Sequence, residues 1–296
     1  MATLFYDGQT EDATACFLTG AAQRGIVAAV LWQRSAKRRK TMKLSLLSFN
    51  IAKDMELPKM LSAAKAKGFE GVEFRADAKH KHGVELDRTA AERKAIRHCC
   101  EDMGIAIACV GTGTRYESPD EKVRRENIDR AKRFVELAHD LGCGRIRVFG
   151  NAFPKGIEKD DVVNWVGEAL RELGQFAEKT TVDVLLEMHG DFYYWEYCLK
   201  AVQLANHPKI GIIPNCDPRE VETGGVRQSY EAVKSYVRHV HMHEMDEPSY
   251  PYKEFFGLLK RDGYKGYLSA EIKESSDPER VMGLYSALFR ELVAQA

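Results

Sequence analysis

From Met42 onward the chain alternates short apolar runs with longer amphipathic ones. The short runs are "LSLLSF" at 44–49, "GVEF" at 71–74, "IAIACV" at 105–110, "RIRVF" at 145–149, "VDVLLE" at 182–187, "IGII" at 210–213, "HVHMH" at 239–243 and "GYLSAE" at 266–271. They read as eight candidate strands. Between them lie stretches with helical periodicity: 57–68, 89–104, 126–142 and 161–179. Several of these close on a glycine, the expected C-terminal stop. Short strands alternating with helices imply parallel pairing. Eight such units within about 250 residues match a single-domain α/β protein, a (β/α)8 TIM barrel. The runner-up, a doubly wound open sheet, usually carries a Gly-rich phosphate loop after its first strand; here "NIAKDMELP" follows instead.

Residues 1–41 stand outside this pattern. They read as an N-terminal extension, disordered or the product of a mis-called start, with residues 42–296 as the barrel. The apolar stretch "GIVAAVLW" at 25–32 is too short to span a bilayer, and "KRRK" follows rather than precedes it, so neither a transmembrane helix nor a signal peptide is expected.

Composition narrows the function classes. Lys plus Arg and Asp plus Glu each total 44, so no global positive field exists to hold nucleic acid or an anionic membrane. Seven cysteines without a CxxC spacing argue against a disulfide framework and suit a reducing, cytoplasmic compartment.

In a barrel, functional groups gather at the C-terminal strand ends. Those ends hold Glu73 and Arg75, Arg147, Glu187 and His189, Asn215 and Asp217, His239, His241 and His243, and Glu271. Residues two apart on a strand share a face, so each set is expected to point the same way. Any one of these residues alone is better read as an ion-pair partner or a core histidine. Four successive strands ending in Glu, Asn or Asp, His and Glu are a different matter, because converging anionic groups repel and lose hydration unless a cation joins them. Mixed carboxylate and imidazole donors suit one divalent ion: Mn, Mg, Co or Zn.

The segments "GVEFR", "IRVFG", "LLEMHGD", "HVHMHEM" and "GYLSAEI", in this order and at strand ends, resemble the xylose-isomerase-like barrels, specifically their sugar phosphate isomerase and epimerase branch. The resemblance implies metal ligands Glu187, His241 and Glu271, with strand six supplying Asp217 or Asn215. Asp217 is slightly preferred for its charge, although the family places its Asp directly at the strand end, where this chain has Asn215. It further implies proton transfer by Glu187 and Glu271 through an enediolate. Substrate contacts are expected from His189, Arg147 and Glu73, an internal Arg147–Glu73 salt bridge being the structural alternative. The aromatic run "FYYWEY" at 192–197 is expected mainly to pack on the barrel.

The leading expectation is a metal-dependent isomerase or epimerase of a small sugar, sugar phosphate or keto-acid. The alternatives are an inosose-dehydratase-like lyase, an AP-endonuclease-like hydrolase, and a non-catalytic sugar-binding barrel. The partner expected is a small-molecule sugar, not nucleic acid or a membrane, and a homo-oligomer is left open.

Overall fold

The structure, a computed structural model, describes residues 42–296. The expectations for residues 1–41 lie outside the described residues. The eight strands are β1 (Lys43–Leu47), β2 (Gly71–Arg75), β3 (Ala106–Arg115), β4 (Arg145–Phe149), β5 (Asp183–Glu187), β6 (Ile210–Ile213), β7 (Val240–Met242) and β8 (Tyr267–Ala270). All pairings are parallel, in the order β6-β5-β4-β3-β2-β1-β8-β7. A single parallel bridge, Ile212 with Val237, brings the two ends together beside β6 and β7. This closure selects the barrel over the open sheet. β3 runs five residues beyond the expected end, through the glycine- and threonine-rich "GTGTR". β7 is shorter than expected, so His239 and His243 flank it.

The longer helices between and after the strands are α1 (Leu57–Ala66), α2 (Ala90–Met103), α3 (Glu121–Asp140), α4 (Lys159–Ala177), α5 (Trp195–Ala205), α6 (Gly225–Val233), α7 (Tyr252–Arg261) and α8 (Pro278–Gln295). Local sequence sets their ends. Thr89 and Glu92 form a capping box at the start of α2, each satisfying a backbone N–H of the other. Gly104 ends the helix at φ +65°, a left-handed turn that a Cβ would strain.

Alternation along the strands builds two unlike layers. Leu44, Leu46, Val72, Phe74, Ile146, Val148, Val184, Leu186, Val240, Met242 and Leu268 join the continuous apolar core with the helices. The intervening positions, among them Ser45, Glu73, Arg147, Glu187, His241 and Ser269, are equally buried but polar. Register sets these polar residues side by side, pairing Ser45 with Ser269 and His241 with Ser269, while Glu73 pairs with the apolar Leu47. Strands of a parallel sheet are buried on both faces, and here the inner face carries the chemistry.

Candidate metal and active site

The inner face forms a continuous polar ladder. Ser45 Oγ lies 2.6 Å from Ser269 Oγ, which lies 2.8 Å from His239 Nε2. His239 Nε2 also meets Glu73 Oε2 at 2.8 Å, and Glu73 receives His241 Nε2 at 3.0 Å. On its other side, His241 Nδ1 meets Glu187 Oε1 at 2.9 Å. Glu187 Oε2 faces Arg147 Nε at 3.1 Å, while Arg147 donates through a terminal nitrogen to the Thr112 carbonyl and covers the Phe149 ring.

The ladder is held together by charge. Burial alone would raise the Glu73 carboxyl, but His241 and His239 outweigh it and hold the group well below the usual carboxylate range. Burial likewise acts against an ionised Glu187, yet His241 and Arg147 bring it down to about 2. Burial opposes a charged His241, and its two carboxylate neighbours overcome this, raising it to about 10. His239 is pushed down to about 4 by burial and remains neutral. Glu73 thus pairs with histidines, not with Arg147 or Arg75. Arg75 pairs instead with Asp77.

At the mouth, Glu187, His241 and Glu271 bring one ligand atom each within 4.8 Å of one another. Glu271 follows β8 and is held by its backbone N–H to the Met242 carbonyl at 2.8 Å. Asn215 follows Pro214, whose carbonyl accepts from the His241 N–H at 2.9 Å, and its buried Oδ1 has no hydrogen-bond partner; Glu187 Oε2 is ion-paired to Arg147. Unsatisfied buried oxygens are costly unless something completes them. A mixed set of carboxylate, imidazole and amide oxygen fits a divalent ion.

Asn215 and Asp217 do not share a face. Strand β6 ends at Ile213, and Cys216 between the pair adopts φ +48°, which breaks the extended alternation. Asn215 is 3% exposed, whereas the Asp217 carboxylate is gripped by Arg219 through the guanidinium at 2.5 and 3.0 Å. Asp217 already has its cation.

His189 sits at the mouth with Nδ1 3.0 Å from Asn151 Oδ1 and its ring against Phe149. His243 leaves the set expected from alternation: it lines a small cavity with Asp217, past the end of β7. A second group with ligand spacing, Glu73, Cys109 and His239, is fully buried within the ladder. Glu73 and His239 in that group already bond to each other, so it reads as a packed interior. Asn151, at φ +63° after β4, escaped sequence reasoning; its place directly after "RIRVFG" was the available signal.

Comparison with known proteins agrees with the barrel fold. A solved D-psicose 3-epimerase from Clostridium cellulolyticum superposes with a TM-score of 0.73 at 16% identity, over 85% of this chain and 99% of that one. A fructoselysine 3-epimerase of Shigella flexneri is 24% identical over 69% of this chain and 81% of its own. A 3-dehydroshikimate dehydratase of Pseudomonas putida is 28% identical over 53% of this chain, which spans only 24% of that longer protein. The profile described as Xylose isomerase-like TIM barrel matches residues 61–291, and the chain belongs to that family.

Proposed function

We propose that the protein is a divalent-metal-dependent sugar epimerase or isomerase. The observation that carries this reading is the convergence of Glu187, His241 and Glu271; the buried, unbonded Asn215 Oδ1, one residue past the Pro214 carbonyl that bonds the His241 N–H, supports it. These four residues would hold the ion, with Asn215 rather than Asp217 as the contribution after strand six. When bound, the ion supplies Lewis-acid polarisation of a substrate carbonyl.

The remaining chemistry belongs to the chain. Glu187 and Glu271 are the two proton carriers. One carboxylate takes the proton from the carbon beside the carbonyl, and the C–H electron pair moves toward the carbonyl oxygen to give an enediolate. The other carboxyl, supplied with a proton by solvent, returns it from the opposite face. Arg147 is committed to Glu187 and the Thr112 carbonyl, so it orients a carboxylate. His189, with Nδ1–H donated to Asn151, leaves Nε2 to accept a substrate hydroxyl. Glu73 fixes His241 from behind, the usual outer partner of a metal-binding imidazole.

The similarity to a dehydratase motivates a second reading, a lyase that uses the same enolate to expel water. Incubating the metal-loaded protein with ketoses in D2O separates the two. Incorporation of one deuterium with a configurational change supports epimerisation, and loss of water supports the lyase. No deuterium uptake across a ketose and inosose panel would overturn both.

A further inference from the structure

The segments after β4, β5 and β6 line an open cavity of about 570 Å3. Phe153, Tyr193, Tyr194 and Tyr197 supply its walls, and the three tyrosines remain partly exposed. Tyr197 stands edge-on to Phe153 and to Tyr194, with ring centroids 4.8 and 5.5 Å apart, so the wall is braced from behind. Much of the run "FYYWEY" therefore lines a cavity besides packing.

The cavity adjoins the place where chemistry would occur. Asp191, on its lining, is two residues from His189, a chain distance of no more than about 7 Å. The connection is rigid. Asp191 accepts from the Phe153 N–H at 2.9 Å, and its own N–H donates to the Asn151 carbonyl, the residue that also holds His189. Gly190 between them has φ +63°, and a Cβ there would collide with that same Asn151 carbonyl.

We propose that this cavity is a second sugar subsite, and that the substrate is a two-ring, uncharged glycosyl ketose whose reacting ring lies at the metal cluster. This rests on the epimerase reading and extends it to substrate class. Flat aromatic faces suit the apolar C–H faces of a pyranose. The rim supplies hydrogen-bonding groups without a site for phosphate: Lys159 lies 3.0 Å from Tyr197 Oη, and the same lining carries the carboxylates of Asp191 and Glu222. Arg219, stacked on Tyr193, is already paired with Asp217. Two carboxylates against one ammonium repel a phosphorylated ligand.

The test is calorimetric titration of the manganese-loaded protein with fructose, with isomaltulose (a glucosyl fructose whose reacting end is free), and with a phosphorylated ketose. Isomaltulose should bind about tenfold more tightly than fructose, the scale of one well-packed aromatic contact set. Thr223→Trp, which fills the cavity without removing its aromatic wall, and Tyr194→Ala should both abolish that advantage. Affinity for fructose and for manganese should be unchanged in both variants. Equal affinity for the two sugars, or tighter binding of the phosphorylated ketose, overturns the subsite while manganese binding stands. Failure to bind manganese at all overturns the epimerase reading instead.

Discussion

The barrel interior and the barrel mouth are built from the same residue types, yet they end in opposite states. Inside, Glu73 is answered by two histidines and His239 Nε2 by Glu73 and Ser269, while His239 Nδ1 is buried without a partner. At the mouth, Glu187 is ion-paired to Arg147, and the buried Asn215 amide oxygen has no hydrogen-bond partner. A densely bonded network specifies position, because any displacement costs several bonds at once. Unsaturated acceptors mark where something else binds. The difference lies in partners rather than in residue chemistry, and it separates groups that hold from groups that act.

Breaking the interior should have the largest effect. Glu73→Gln removes the carboxylate that bonds both His239 and His241, and a broken buried pair costs about 3–5 kcal/mol. The melting temperature should fall by about 10 °C or more, and metal affinity should fall with it. Breaking the mouth should do the reverse. Glu271→Gln keeps the shape and one ligand oxygen, so melting should change little, while turnover at saturating metal falls by about 100-fold or more. Near-normal turnover there would reduce Glu271 to a ligand and shift proton transfer to Glu187 or His189.

A smaller effect distinguishes the two residues after strand six. Asn215→Ala should weaken metal binding by at least about tenfold, whereas Asp217→Asn should leave it within about twofold, because Arg219 already holds that carboxylate. Titration of both variants with manganese reads this directly; the opposite ranking would make Asp217 the ligand.

A further effect, read from pH dependence, concerns a hydrogen-bonded pair outside the ladder. His82, 4% exposed, accepts from the Val84 N–H and meets Ser48 Oγ, and burial pushes its imidazole down to about 3. The unfolded chain binds a proton near pH 6.5 that the native state refuses, so stability is full above that pH and declines below it. The decline approaches about 1.4 kcal/mol per pH unit and ends near the native value. Denaturant melts of the protein and of His82→Gln between pH 7 and 4 should differ by that slope.

Much of this comparison was legible in the sequence. Alternation in "HVHMH" separates the helix-facing layer from the barrel-facing one without any structure, and in "VDVLLE" only Leu185 departs from it. Their strand order brings Glu187, His241 and Glu271 to one rim. Alternation failed where the backbone left the strand. The left-handed Cys216 turned Asn215 and Asp217 apart, and the short β7 released His243 from its set. Neither the sign of φ nor the residue at which pairing stops is carried by a hydrophobic pattern. The partner of Arg147 was equally hidden, since Glu73 and Glu187 present the same chemistry from different strands.

The seam where the barrel closes carries a kinetic consequence. Between β6 and β7 only one bridge and the backbone bonds His241 N–H to Pro214 and Arg238 N–H to Ile212 cross, at 2.9 and 3.3 Å. Neighbouring strands elsewhere pair over three or more residues. Amide exchange should therefore open the molecule here before it opens along β1 and β8. The two sides of the seam deliver Asn215 and His241, so an ion shared by them would act as a clasp, and the slowing of exchange at the His241 amide on adding manganese would measure how tightly it closes.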